Sequence, residues 1–193
     1  MQKNEVATIC PASRQEWRAW LQEHHDKEQS VWLVYYKKSA DKPTITWSEA
    51  VTEALCFGWI DSKAKPLNGD QFMQFFSRRK KNSVWSKINK DKVEELIAAG
   101  LMTDAGHASI AVAKENGSWS VLDEVEALVV PRDLQKALKA HPGAKDYFTG
   151  LSKSVKKMLL QWLVLAKLPE TRQRRIEEIA IQAAQHQRPK QFR

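Results

Sequence analysis

The sequence predicts an α+β fold that is predominantly α-helical, with a small antiparallel sheet near the N-terminus followed by an all-helical C-terminal part. Before Asn89, short runs of β-branched and aromatic residues alternate with capped helical segments, and such runs are typical of strands. After Asn89, apolar residues recur at helical spacing to the end of the chain. The 193 residues are enough for one compact unit with a sizeable core.

The chain begins with a predicted flexible leader, residues 1–12, which contains Pro11. Ser13 and Glu16 have the S-x-x-E spacing of a capping box, in which the two side chains bond backbone N–H groups that the helix leaves unpaired. This spacing predicts a helix over residues 14–24.

Three segments are predicted as strands, residues 31–38, 59–65 and 71–78. Between the last two, Asn68 and Gly69 form a dipeptide that accepts the positive φ angles of a tight hairpin turn. We therefore expect a three-stranded antiparallel sheet that contains this hairpin.

The remaining helices are indicated by their caps. Thr46 and Glu49 form a second capping box, and the helix they start is expected to end before Gly58. Thr103 and Ser152 are candidate N-caps in the C-terminal part. The helix after Ser152 is predicted to be central, because its apolar stripe is long: Val155, Met158, Leu159, Trp162, Leu163 and Ala166.

The natural division is an α+β region over residues 13–90 and a helical region over residues 91–193, which together are expected to form one compact unit. The chain shows no internal repeat and no Gly/Ser-rich linker between them.

Several classes of protein are excluded by composition. The chain contains no run of about 18 apolar residues that could span a bilayer. The N-terminus lacks a continuous apolar h-region and carries Glu5, so we expect no secretory signal and a cytoplasmic protein. Cys10 and Cys56 are expected to be reduced thiols. The five histidines lack the spacing of a zinc site, so we expect no metal and no cofactor.

The formal charge of +8 is distributed unevenly. Residues 62–92 hold nine basic and two acidic side chains, and residues 150–193 hold ten and three. Such segments attract phosphate groups and acidic partners. We therefore expect nucleic acid or another polyanion as a partner, and the chain also fits a protein partner.

The first basic segment contains the leading candidate site, because its cations alternate with aromatic residues that could stack on unpaired bases. The predicted ligand contacts are Trp47, Lys63, Lys65, Arg78, Arg79, Lys80, Lys81, Trp85 and Lys87. Trp47 and Trp85 are the two tryptophans that we expect nearest the surface. Alternatively, the aromatic residues fill the core and the cations keep a sheet edge soluble.

A secondary anion site is predicted from lysines in the first turns of the helix after Ser152. Cations there oppose the helix dipole, so a ligand could explain their presence. The candidates are Lys153, Lys156, Lys157, Arg172 and Arg175. The alternative is a solvated charged face.

Two further side chains are weaker candidates for chemistry. Cys56 could be a nucleophile if a histidine approached it, although a buried structural cysteine is more common. Asp61 could hold Lys63 or a substrate cation, but the sequence shows no second carboxylate beside it.

The blocks ALCFGWIDS, VWSKIN and AKLPETRQRRI occur in this order along the chain. They resemble the YdeI/OmpD-associated family, also described as bacteriocin-protection or OmdA-type proteins. The resemblance implies a role in antimicrobial resistance and envelope stress, and it implies no catalytic residue. A protein of charge +8 would repel cationic antimicrobial peptides, so we expect any protective role to be indirect.

These observations favour a non-enzymatic binding protein for a polyanionic ligand. A second hypothesis is a protein-interaction or regulatory module that uses the C-terminal helices. An enzyme that acts on a phosphorylated or acidic small molecule ranks last, because the chain lacks a phosphate-binding Gly-rich loop, a nucleophile elbow and metal-ligand spacing.

Overall fold

The computed structural model describes residues 6–193. It is 53% helical and 13% strand, with a sheet in the N-terminal half and helices in the C-terminal part, which confirms the predicted fold class. The elements follow in the order β1 (Thr8–Ile9), α1 (Arg14–His24), β2 (Ser30–Tyr36), α2 (Trp47–Cys56), β3 (Trp59–Pro66), β4 (Gln71–Arg78), α3 (Lys87–Ala98), α4 (Asp104–Glu115), α5 (Asp123–Glu126), α6 (Arg132–Ala140), α7 (Ala144–Gly150), α8 (Lys153–Val164) and α9 (Pro169–Ala184).

The chain forms two compact units, of which the first ends at Trp119 and the second comprises Ser120–Arg193. The sequence had suggested a division after residue 90. Both α3 and α4 pack against α2, however, so these two helices belong to the unit that contains the sheet.

Close backbone contact joins α2 to α4. The amide and the hydroxyl of Thr103 both donate to the carbonyl of Cys56, at 3.1 and 2.6 Å. A Cβ on Gly106 would lie 2.3 Å from that carbonyl oxygen, so glycine is required there. Gly58 has a φ of 70°, as expected for the residue that follows a helix.

The sheet has four strands in the order β1-β2-β4-β3. The three predicted strands pair antiparallel, with β4 at the centre. The fourth strand, β1, pairs parallel with β2 through Thr8 and Ile9, two residues of the segment predicted as a flexible leader. Residues 1–5 of that segment lie outside the described residues.

The hairpin between β3 and β4 forms, but its predicted turn geometry is wrong. Neither Asn68 nor Gly69 has a positive φ. The Asn68 side chain stabilises the turn instead, because its Oδ1 accepts the amide of Asp70 at 2.9 Å and its amide group donates to Gln71 Oε1 at 2.7 Å. Asparagine commonly forms such local turns with its own backbone neighbourhood.

All four predicted N-cap residues begin their helices: Ser13, Thr46, Thr103 and Ser152. The Thr46 box of α2 is reciprocal, with Thr46 Oγ1 accepting the Glu49 amide and Glu49 accepting the Thr46 amide. At α1, Ser13 Oγ accepts the Glu16 amide, whereas Glu16 accepts the amide of Ala12. The predicted bounds of α1 are confirmed.

The first unit has an aromatic core between the sheet and its helices. Its largest fully buried side chains include three tryptophans, each at most 1% exposed: Trp17, Trp59 and Trp85. In the second unit, α9 packs against α6, α7 and α8, whereas α8 packs against α5 and α9. The central helix of that unit is therefore α9, and the prediction of α8 is wrong.

No helix in the described part of the chain is long and apolar enough to cross a membrane. Within residues 6–193, His, Cys, Asp and Glu side chains do not gather in the groups of three that a metal ion needs.

Candidate functional site

A β-bulge in β3 determines which side chains share a face of the sheet. Along a regular strand, Asp61, Lys63 and Lys65 would all point the same way, because side chains alternate with a period of two. The register shifts between Asp61 and Ala64, so that Asp61 lies opposite the core residue Phe76 and Lys65 lies opposite Met73. The bulge therefore separates the carboxylate from the two lysines.

The two lysines lie with two aromatic rings on the outer face of the sheet. Trp32 and Phe75 are opposite each other on neighbouring strands, with ring centroids 5.0 Å apart. Lys65 Nζ lies 4.5 Å from the Trp32 ring centroid, and Lys63 Nζ lies 5.6 Å from Trp32 and 5.5 Å from Phe75. Both rings are partly buried and both lysines are exposed. We call these four residues the sheet-face cluster.

Asp61 is engaged on the other side of the bulge. Its Oδ2 accepts the indole N–H of Trp47 and the side-chain amide of Gln74, both at 3.0 Å. Trp47 is 52% exposed, as predicted. These contacts replace the expected pairing of Asp61 with Lys63.

Arg78 is the last residue of β4 and Arg79 follows it, and both are partly buried. Arg78 donates to the carbonyl of Glu28 at 2.8 Å. The Arg79 guanidinium lies 3.6 Å from the Trp85 ring centroid and donates to the carbonyl of Val84 at 3.3 Å. Burial lowers the pKa of Arg79 to about 10, and the negative charge of Asp61 partly opposes this. The guanidinium therefore stays charged at neutral pH.

Trp85 is not at the surface, so that prediction is wrong. It is 1% exposed and packs against Trp119 at 5.0 Å between ring centroids. Its ring instead packs against the Arg79 guanidinium. Trp85 can therefore contact a ligand only where its ring lines a cavity.

Such a cavity lies beside Arg79 and has a volume of about 190 Å³. Arg79, Lys80, Lys81 and Trp85 form one side of it, and residues of α4, among them Ser109 and Val112, form the other. We call it the Arg79 pocket. Lys87, the last predicted contact, pairs instead with Asp91 one turn along α3, at 2.8 Å.

The secondary predicted site has most of its cations bound to internal partners. Lys157 forms an ion pair with Glu126, and Arg172 binds Asp133 through two nitrogens at 2.9 and 3.0 Å. The other contacts go to carbonyls: Lys156 donates to Thr149 and Arg175 donates to Trp162. Lys153 begins α8 and is exposed.

A groove of about 910 Å³ runs along α9, but its charge does not suit an anion. Its lining includes Glu170, Glu177 and Glu178 against a single cation, Arg174. The predicted secondary site therefore gains no support from this groove.

Cys56 lies in the core of the first unit, and its thiol donates to the Thr52 carbonyl at 3.5 Å. Burial raises the pKa of the thiol, although the nearby Arg18 acts in the opposite direction. Because the thiolate is the nucleophile, this environment favours a packing role for Cys56.

A buried ion-pair cluster was missed by sequence reasoning. Glu53 is 2% exposed and binds both Arg14 and Arg18 of α1, the second at 2.6 Å. The spacing of the two arginines by four residues places them on one helix face, but only the packing of α1 on α2 shows their partner. Trp32 was also missed, because its position on the outer face follows from strand register.

The architecture is thus an α+β unit with an aromatic core and cationic outer features, followed in sequence by a helical unit. Residues 9–109, more than half of the chain, match the model of a domain of unknown function, DUF8412, and the chain belongs to that family. Residues 127–186 match the family described as Bacteriocin-protection, YdeI or OmpD-Associated. The second match confirms the resemblance predicted from the sequence, within the second unit. No curated protein and no solved structure matches the chain significantly.

Proposed function

We propose that this protein is a non-enzymatic binding protein for a polyanion, and that single-stranded nucleic acid is the ligand its sheet face fits best. The observation that carries the proposal is the sheet-face cluster, in which Lys63 and Lys65 lie over the partly buried rings of Trp32 and Phe75. The match over residues 127–186 supports a YdeI/OmpD-associated protein, and neither family match names a ligand.

The cluster combines the two contacts that single strands need. Lysines neutralise phosphates and release counterions, and aromatic side chains stack on unpaired bases for about 1–3 kcal/mol per base. In a duplex the bases are already stacked on each other, so only the phosphate contact remains. We therefore expect single strands to bind more tightly than duplexes.

In the free protein the lysines occupy the ring faces. A cation over an exposed ring gains only about 0.5–1 kcal/mol, and a phosphate is a stronger partner for an ammonium group. Lys65 can thus move from Trp32 to a phosphate while a base takes its place on the ring. Its exposed position at the end of β3 leaves room for this movement.

Fluorescence anisotropy of a labelled oligonucleotide of about 12 nucleotides, within the usual range of site sizes, tests the proposal. The experiment compares single-stranded and duplex DNA between about 50 and 150 mM salt. The double variant Lys63→Gln/Lys65→Gln should bind more weakly and should show a salt slope reduced by about 1.4, the value for two phosphate contacts on a single strand.

The matched control is Lys136→Gln/Lys139→Gln, which removes the same charge from two exposed lysines of α6. This control should bind almost as the natural protein does. Absence of binding at low salt, or an equal loss in both double variants, would remove nucleic acid as the ligand of the sheet face.

A further inference from the structure

Three cations around the Arg79 pocket take no part in the proposed nucleic-acid contact. Arg79, Lys80 and Lys81 all line this cavity. Within residues 6–193, none of the three has a carboxylate at ion-pair distance. Adjacent positive charges repel one another, so an anion bound between them would lower the electrostatic energy of the cluster.

The Arg79 guanidinium is the fixed part of the cavity. It is held between the Trp85 ring at 3.6 Å and the Val84 carbonyl at 3.3 Å, and its backbone amide bonds the Gly58 carbonyl at 2.9 Å. Its Nε is buried and makes no hydrogen bond within the described residues. A buried donor without a partner is costly, so the protein's own contacts leave this guanidinium incompletely hydrogen-bonded.

The loop that carries the two lysines is also anchored. The carbonyl of Lys81 accepts the side-chain amide of Asn116 at 2.8 Å and the hydroxyl of Ser118 at 3.4 Å. These residues follow α4, the helix that forms the opposite wall of the cavity. The three cations are therefore presented on a backbone tied to that wall, while the lysine side chains remain exposed.

We propose that the Arg79 pocket binds a single phosphate group, carried by inorganic phosphate or by a phosphomonoester. The volume of about 190 Å³ lies below the roughly 300–1,000 Å³ of sites for drug-sized ligands, so it suits one small group. Three cations match the charge of a phosphate, about −1.5 to −2 at neutral pH, better than that of a carboxylate. The site is distinct from the sheet-face cluster and does not depend on the binding proposed there.

Calorimetric titration with inorganic phosphate and with acetate, at constant ionic strength, tests this inference. Phosphate should bind at one saturable site, and acetate at least about tenfold more weakly, the factor that corresponds to about 1.4 kcal/mol. The variant Lys80→Gln/Lys81→Gln should weaken phosphate binding by about tenfold or more. Lys136→Gln/Lys139→Gln, which removes the same charge from two exposed lysines of α6, should leave phosphate binding unchanged.

A second measurement does not depend on any variant remaining folded. In ¹⁵N-labelled natural protein, the Arg79 Nε–H signal, assigned by its loss in Arg79→Lys, should shift as phosphate is added. An unmoved signal, acetate binding as tight as phosphate, or an equal loss in the two double variants would overturn the inference.

The source of the phosphate is distinguished by oligonucleotides with a 5′-phosphate or a 5′-hydroxyl. If the pocket takes a nucleic-acid end, the phosphorylated strand should bind more tightly, and this advantage should disappear in Lys80→Gln/Lys81→Gln. If the pocket takes a small molecule, the two strands should bind equally while inorganic phosphate still saturates the site. Failure of oligonucleotide binding alone would contradict the sheet-face proposal and leave the pocket intact.

Discussion

The two units of this chain use the same kinds of cationic side chain differently. In the first unit, Lys65 lies over an aromatic ring and Arg79 lines a cavity without a carboxylate partner among the described residues. In the second unit, Lys157 pairs with a glutamate, and Arg172 binds both oxygens of Asp133. Lys65 and Arg79 of the first unit are thus available to a ligand, whereas several cations of the second unit are already neutralised.

The difference shows that charge density alone does not locate an anion site. The two basic segments have the same excess of positive charge, +7 each. What separates them is whether acidic residues distant in sequence fold against them. In the first unit, the bulge in β3 turns Asp61 to the core side of the sheet and leaves two lysines on the outer face.

A substitution at Gly106 tests whether α4 packs on α2 as part of the first unit, and we expect this substitution to cause the largest loss of stability. In Gly106→Ala, the new Cβ would lie 2.3 Å from the Cys56 carbonyl oxygen, so α4 must move away from α2. Overpacking costs about 1–3 kcal/mol, and contact with rigid backbone favours the upper end, about 3 kcal/mol. Chemical denaturation measures this loss.

The control for that variant is Gly150→Ala in α7 of the second unit. An added Cβ at Gly150 meets no atom within 4 Å, so the free energy of unfolding should change little or rise slightly with the better helix propensity of alanine. Equal effects of the two substitutions would contradict the packing of α4 on α2.

The paired cations of the first unit should matter for stability rather than for binding. Glu53→Gln leaves Arg14 and Arg18 without their shared carboxylate. Breaking a buried pair costs about 3–5 kcal/mol, but the two arginines are 40% and 27% exposed, so water compensates in part and about 2–3 kcal/mol is expected. Thermal or chemical unfolding measures this loss in the free energy of unfolding. The control is Glu94→Gln, a substitution at an exposed glutamate.

Oligonucleotide affinity should be almost unchanged in Glu53→Gln once the protein is folded. A large loss of affinity in the folded variant would show that the buried cluster takes part in binding, and the comparison between paired and available cations would then fail.

The choice of aromatic contacts separates the structural interpretation from the sequence prediction. Trp32→Leu removes a ring of the sheet-face cluster and should weaken single-strand binding by about 1–2 kcal/mol, the lower part of the stacking range, because the ring is only partly accessible. Trp47→Leu removes the more exposed ring that the sequence favoured and that bonds Asp61. Anisotropy titrations should show a smaller effect for Trp47, and the reverse order would restore the sequence prediction.

Local patterns predicted much of this fold, because caps and periodicity are properties of neighbouring residues. The bounds of α1 and the reciprocal box at Thr46 follow from such spacings. The predicted turn geometry at Asn68 and Gly69 was wrong, because the Asn68 side chain accepts the Asp70 amide and the turn forms without a positive φ. Whether a helix is central in a helical unit depends on which other helices pack around that helix. The length of the apolar stripe of α8 could not show this.

The cations of the candidate site were predicted from the distribution of charge in the sequence. Which side chains lie beside them became clear only from the register of the strands. Lys63, Lys65 and the cations of residues 78–81 were found because charge is visible in the sequence. Trp85 is buried against Trp119, a residue distant in sequence, and no local pattern encodes that contact. The availability of a cation is likewise a tertiary property, as Arg172 shows.

The smallest expected effect tests the second unit directly. Asp133→Asn removes the acidic partner of Arg172, and because Asp133 is 44% exposed, the loss of stability should be about 1 kcal/mol or less. If the second unit contains an anion site that Asp133 only masks, the freed guanidinium should raise oligonucleotide affinity. We expect no increase beyond that of Asp146→Asn, which makes the same change of charge at an exposed position of α7. A selective gain for Asp133→Asn in anisotropy titrations would show that the two units differ in masking rather than in kind.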